Sequence, residues 1–145
     1  MKIIDGLIGG LAGAIGITLV HELTRKIYPD APRLDKLGEQ AVQKFVNKTT
    51  GDAPPQKELY GPALAGDLIA NALYYGFAAA GTKHPVKTAG FLGISAGLGA
   101  ISLPSKMGLN EELTSGTLQK KLITVGLYTL GGIIAGSVVN FMRNR

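Results

Sequence analysis

The sequence predicts an all-α integral membrane protein: a bundle of four helices packed through glycine, with one amphipathic interfacial helix in the first loop. Three observations lead there. Charged residues make up 17% of the chain and apolar residues 46%, whereas soluble domains carry about 25% charged residues. Four apolar runs, at 3–20, 62–81, 86–103 and 122–141, approach the roughly 20 residues that a helix needs to cross a ~30 Å hydrocarbon core. Most of the 21 glycines lie inside those runs, without the period of collagen or the bias of low-complexity sequence. A water-soluble bundle would place a polar residue at every third or fourth position. The polar residues of these runs are Asp5, Asp67, Asn71, the terminal Lys87 and Asn140, and a few hydroxyls and tyrosines.

The first run contains GLIGGLAGAIG, five glycines among alanine, leucine and isoleucine. Glycine weakens an isolated helix in water, but lipid supplies no hydrophobic drive between helices, so association there rests on close backbone approach. At 100° per residue Gly6, Gly9, Gly10 and Gly13 form one smooth stripe with two overlapping GxxxG patterns. Asp5 interrupts the start of the run, and no small-x-small site stands directly before His21. The run is therefore read as a retained span and not as a signal peptide.

The loop that follows carries PDAPRLDKLGEQAVQKFVNKTTGDAPP. Asp30 and Pro32 are helix-start signals, and Gly51 with Pro54-Pro55 stops the helix, which predicts a helix over about 32–48. Leu34, Leu37, Ala41, Val42 and Phe45 mark one apolar face, opposed by Arg33, Lys36, Glu39, Gln43 and Lys44. Such a helix lies on the lipid interface, caps its own bundle or docks a protein partner.

The second span adds the small-residue series Ala72, Gly76 and Ala80. The third repeats the first: residues 90–103 aligned with 6–19 match at Gly6/Gly90, Gly9/Gly93, Ala12/Ala96, Gly13/Gly97, Ile17/Ile101 and Leu19/Leu103. A parallel duplication of a two-helix unit would give spans one and three equivalent places. The fourth span adds Gly132 and Gly136. These stripes serve packing within the bundle or contacts between protomers of a homo-oligomer.

Four spans put both termini on one side with residues 82–85. That side carries Lys2, Lys83, Lys87, Arg143 and Arg145. The opposite side carries twice as many basic residues: Arg25, Lys26, Arg33, Lys36, Lys44, Lys48, Lys57, Lys106, Lys120 and Lys121. The positive-inside rule then places the chain as a multi-pass protein of the inner (plasma) membrane with both termini outside the cytoplasm.

Charge inside an apolar span is costly and marks a functional hypothesis. His21, Glu22 and Arg25 at the inner end of the first span meet Asp67, Asn71 and Tyr74 of the second on the same side, so a polar nest is expected there. In it Arg25 and His21 would neutralise Asp67 or Glu22. Asp5, on the other side, has Lys83, Lys87, Arg143 and Asn140 as candidate partners, or snorkels alone.

The absence of cysteine excludes disulfides and cysteine-based metal sites or nucleophiles. His21-Glu22 lacks the HExxH spacing, and His84 belongs to the other interface, so no metal site is expected. No serine stands in order with a histidine and an acid, so no catalytic residue and no cofactor is assigned, and the reading is non-enzymatic. The net charge of +5 collects beside apolar segments without interleaved aromatics, which argues against nucleic acid.

HELTRKIYPDAPRLDKLGEQA, followed by LYGPALAGDLIANALYY, resembles the signature of a family of small bacterial polytopic membrane proteins that carries no assigned activity. The resemblance implies a membrane location and transfers no site. Two functions remain open from the residues alone: a scaffold or assembly module packed by glycine stripes, and an oligomeric channel or transporter for a small ion or proton along Asp67.

Overall fold

The computed structural model describes residues 2–145 as six α-helices: α1 (Lys2–Ile27), α2 (Leu34–Thr50), α3 (Tyr60–Ala80), α4 (Pro85–Lys106), α5 (Glu112–Ser115) and α6 (Leu118–Arg143). A short 3-10 turn, Gln56–Leu59, leads into α3, and there is no strand among the described residues. Three helices, α1, α4 and α6, are long and apolar enough to cross a membrane. The fourth expected crossing forms α3, which has 21 residues. It carries Asp67 and Asn71 on its length and is not among those three.

Helices α1, α4 and α6 outrun their expected limits at both ends, whereas α3 begins two residues early and stops at Ala80, one residue short of its expected end. The spans were bounded by hydropathy, whereas a helix continues until its backbone is capped or its chain is turned. Thr117 caps α6, its hydroxyl accepting from the Lys120 amide at 3.1 Å. The loop helix begins at Leu34, not at Pro32, and ends at Gly51, whose φ of 77° is the left-handed conformation that glycine adopts most readily. The Gly51 amide closes the helix on Asn47 O at 2.8 Å.

Helix α6 lies between α1 and α4, while α3 packs chiefly on α1 and only lightly on α4. The glycine stripe of α1 serves two neighbours. Gly6 and Gly10 abut Gly76 and Ala72 of α3, whereas Gly9 and Gly13 abut Ala135 and Gly131 of α6. A Cβ at Gly13 would stand 2.5 Å from Gly131 O. On α4, Gly93 and Gly97 meet Tyr128 and Val125 of α6, and Gly132 and Gly136 of α6 meet Ala89 and Pro85 of α4. The pairs Gly9/Gly93 and Gly13/Gly97, aligned in the internal repeat, thus both face α6. The match fails at Gly6/Gly90: Gly6 is pressed against α3, while Gly90 has ordinary clearance from Ile133. The light α3–α4 seam also has no counterpart to the close α1–α6 seam.

The interior is small. One cluster joins Ile17, Tyr75, Leu127 and Ala135, and a second joins Ala79, Ala89 and Val139. Tyr75 is fully buried and donates its hydroxyl to Tyr128 O at 2.6 Å. The large aliphatic and aromatic side chains face outward instead: Leu7, Leu11 and Leu19 of α1, Ile69 and Phe77 of α3, Phe91 and Leu98 of α4, and Leu122 and Ile133 of α6 are all exposed. A soluble protein has the opposite arrangement.

Pro104 sits inside α4 without ending it. Proline has no N–H, so the carbonyl four residues back loses its helical partner. That carbonyl belongs to Ala100, and the buried Thr114 hydroxyl of α5 donates to it at 2.8 Å. Thr124 of α6 in turn donates to Thr114 O at 3.3 Å. The short helix α5 is fixed to the bundle at the place where proline breaks the ladder.

Candidate functional site

The end of the bundle from which α1 emerges and α3 enters is covered by α2. Four charged residues fasten that cover. The Asp35 carboxylate receives Arg33 through two bonds, Nε at 3.0 Å and Nη2 at 2.7 Å, and Arg25 Nη1 at 2.6 Å. Arg25 also reaches back to Glu22 at 3.0 Å. Burial pushes the Asp35 carboxyl up, but the Arg33 hydrogen bonds, the charges of Arg33 and Arg25 and the Lys36 amide outweigh it and hold the group below the usual carboxylate range. The Asp35 hydrogen bond in turn raises the Arg33 guanidinium above its ordinary value.

His21 makes the second attachment. It is buried, and its Nε2 lies 2.9 Å from Pro32 O. A carbonyl only accepts, so Nε2 carries the hydrogen and donates it. Farther along, Gln56 donates to Glu39 at 3.3 Å, the Lys44 ammonium donates to Met107 O, and Gln40 accepts from the Asn110 amide at 3.0 Å. The Arg33 amide donates to Leu113 O at 2.9 Å. The loops on either side of α2 and α5 therefore form one polar lid.

Beneath the lid is a cavity of about 40 Å³, room for about one water molecule. Its polar walls are Thr18, His21, Glu22, Asp35, Tyr60 and Asp67, and Ile17, Leu34 and Leu64 supply apolar walls. His21, Glu22 and Asp67 of the expected nest are brought together here. Asn71 is buried beside them and donates to Asp67 Oδ1 at 2.9 Å. Two expected members lie elsewhere. Arg25, off the cavity wall, pairs with Glu22 as expected and with Asp35, and makes no ion pair with Asp67. Tyr74, one turn beyond Asn71, donates its hydroxyl to Leu92 O of α4 at 2.8 Å.

Asp35, Tyr60 and the Pro32 carbonyl were not anticipated at the site. Asp35 had one local signal, its place in the first turn of α2 between Arg33 and Lys36. At the opposite end Arg143 donates to Thr82 O at 2.6 Å, Ala80 O at 2.7 Å and Ala79 O at 3.3 Å. It thereby satisfies the last carbonyls of α3. It is not paired with Asp5, which enters no salt bridge among the described residues.

Among the described residues no three His, Asp or Glu side chains group as metal ligands. The cavity presents the Asp67 carboxylate and a histidine beside two carboxylates, Glu22 and Asp35, held by arginine, with no hydroxyl nucleophile bonded to His21. Such walls can hold water or a proton and can fix the register of α1, α2 and α3. No family model matches the chain, and no curated protein or solved structure matches it.

Proposed function

We propose that the chain is a four-helix membrane protein, with α3 as the fourth crossing, that acts as a non-enzymatic scaffold or assembly module packed through its glycine stripes. The observation that carries this reading is the inverted distribution of side-chain size. Glycine and alanine fill the contacts between helices while leucine, isoleucine and phenylalanine cover the outside. In water that surface would aggregate, and in lipid it is the appropriate solvent contact. Asp67 and Asn71 satisfy each other on α3, and Thr18, Ser95, Ser102 and Thr129 return their hydroxyls to carbonyls four residues back. These six polar side chains on the crossings therefore meet partners within their own helices, while Tyr74 and Tyr75 tie α3 to α4 and α6.

The alternative, conduction of a proton or small cation, draws support from one feature. Asp67 borders the cavity under the lid and also the groove between α2 and α4. Ion and proton flux through proteoliposomes, wild type beside Asp67→Asn with oligomer size checked in parallel, separates the two readings. The scaffold reading expects no flux from either protein and unchanged assembly. A robust wild-type flux abolished by the substitution would overturn it.

A further inference from the structure

Between α2 and α4, beside the light contact of α3 with α4, lies a groove of about 410 Å³ open to the side, within the roughly 300–1,000 Å³ of ligand clefts. Its walls are apolar: Leu37 and Ala41 of α2 face Ala96, Ala100 and Leu103 of α4. At Ala41, Met107 and Leu109 the groove runs into a second recess whose charged residues are Lys44, Lys48 and Lys106, with no acid among its walls. The one acid on the groove, Asp67, lies seven residues into α3, about 10 Å along the helix from the lysine end.

We propose that this groove and its lysine recess bind an anionic phospholipid, with the phosphate headgroup at Lys44, Lys48 and Lys106 and one acyl chain along the apolar wall. The inference rests on the membrane reading above and adds a ligand to it. Charge complementarity fixes both the occupant and its direction. Three ammonium groups attract the phosphate, and Asp67 repels it from the inner part of the groove. Lys44 spends one donor on Met107 O and keeps two, so it holds the recess together and still faces a ligand. The groove opens towards the hydrocarbon while Lys106 closes α4 at the depth where headgroups lie, and Lys44 and Lys48 line the same recess from α2.

The test uses full-length protein in mild detergent, with phosphatidylglycerol or phosphatidylcholine of identical acyl chains titrated in and bound lipid counted by native mass spectrometry. Phosphatidylglycerol is expected to be retained at one molecule per chain and phosphatidylcholine to be lost. Removing one surface lysine weakens an anionic headgroup about fivefold, so Lys48→Gln with Lys106→Gln should weaken retention roughly 10- to 30-fold, while Lys48→Arg with Lys106→Arg should restore it. Gly99→Leu, on the groove wall with only Leu103 nearby, should block the chain and abolish retention without loss of helicity. Soluble glycerol phosphate should not compete, because the acyl chain carries part of the affinity. Equal retention of the two lipids, wild-type retention by the double glutamine variant, or full competition by glycerol phosphate would overturn the proposal. Monodispersity of the chain in detergent-free buffer would overturn the membrane reading itself, whereas a detergent-requiring protein that retains no lipid would overturn this inference alone.

Discussion

Asp35 is the residue on which the lid turns. Its side chain is 8% exposed, against 27% for Arg25 and 37% for Arg33, so its removal leaves Arg33 without its acid and Arg25 with Glu22 alone, and the two guanidinium groups regain water only in part. Breaking a fully buried pair costs ~3–5 kcal/mol, and the partial exposure of the arginines discounts this to about 1–3 kcal/mol for Asp35→Asn. Thermal unfolding in detergent reads that cost. The sign of the pH dependence follows from the lowered folded-state value: the contribution is present above the unfolded value of about 3.9 and is lost as pH falls through the lower folded value. Unfolding scans from pH 7 to pH 3 should show a drop in midpoint near the acid end for wild type and a smaller one for Asp35→Asn. A second residue-scale prediction concerns Thr114, whose hydroxyl replaces the N–H that Pro104 lacks. Thr114→Val should cost about 1–2 kcal/mol, and markedly less in a Pro104→Ala background, where an amide serves Ala100 O. Equal costs in both backgrounds would sever the link between the two residues. The sequence marked His21, Glu22, Asp67 and Asn71 as neighbours because helical spacing fixes which residues share a face. It gave no sign that Arg25 would turn to Asp35, since that pairing depends on α2 folding back over the bundle end.

Among helices, the glycines divide into those that a methyl group cannot replace and those that it can. A Cβ at Gly10 or Gly132 would overlap the carbonyl oxygen of Ala72 or Ala89, whereas Gly66 and Gly126 have nothing within 4 Å. Gly66→Ala and Gly126→Ala should therefore leave stability unchanged or raise it by about 0.5–1 kcal/mol through helix propensity. Gly10→Ala and Gly132→Ala should each cost several kcal/mol through forced separation of the helices. Denaturation in mixed micelles ranks the four, and a common effect of all of them would remove the distinction. Gly9→Leu with Gly13→Leu should likewise disrupt the fold, while Leu7→Ile and Leu11→Ile, which change exposed positions, should be mild. The stripe on α1 was legible because a period of 3.6 and a run of glycines need no partner to be seen. Its division between α3 and α6 was not, because helix order around a bundle is set by the partners' side chains. The short helix α5 and the turn at Gln56–Leu59 escaped notice for a related reason. Segments of four residues have no periodicity to read, and tertiary contacts through Thr114 and Gln56 hold them.

For the molecule as a whole, two statements need separate support: that it lies in a membrane and which way it faces. Direction is addressed by single cysteines introduced at Lys48 and Arg145 in this cysteine-free chain. An impermeant thiol reagent added outside intact cells should label position 145 and spare position 48, and the reverse pattern would invert the topology. The apolar character of α1, α4 and α6 was plain in the sequence. The standing of α3 was harder to read, because Asp67 and Asn71 reduce its hydropathy while its length still matches a crossing. The central claim is that the exposed apolar faces of these helices meet hydrocarbon. Spin labels at Leu11, Leu98 and Ile133, all exposed in the structure, measure this directly in reconstituted bilayers through collision with oxygen and with a water-soluble nickel chelate. The account predicts that oxygen dominates at all three positions and that the chelate is excluded. Free access of the chelate at these positions would contradict it.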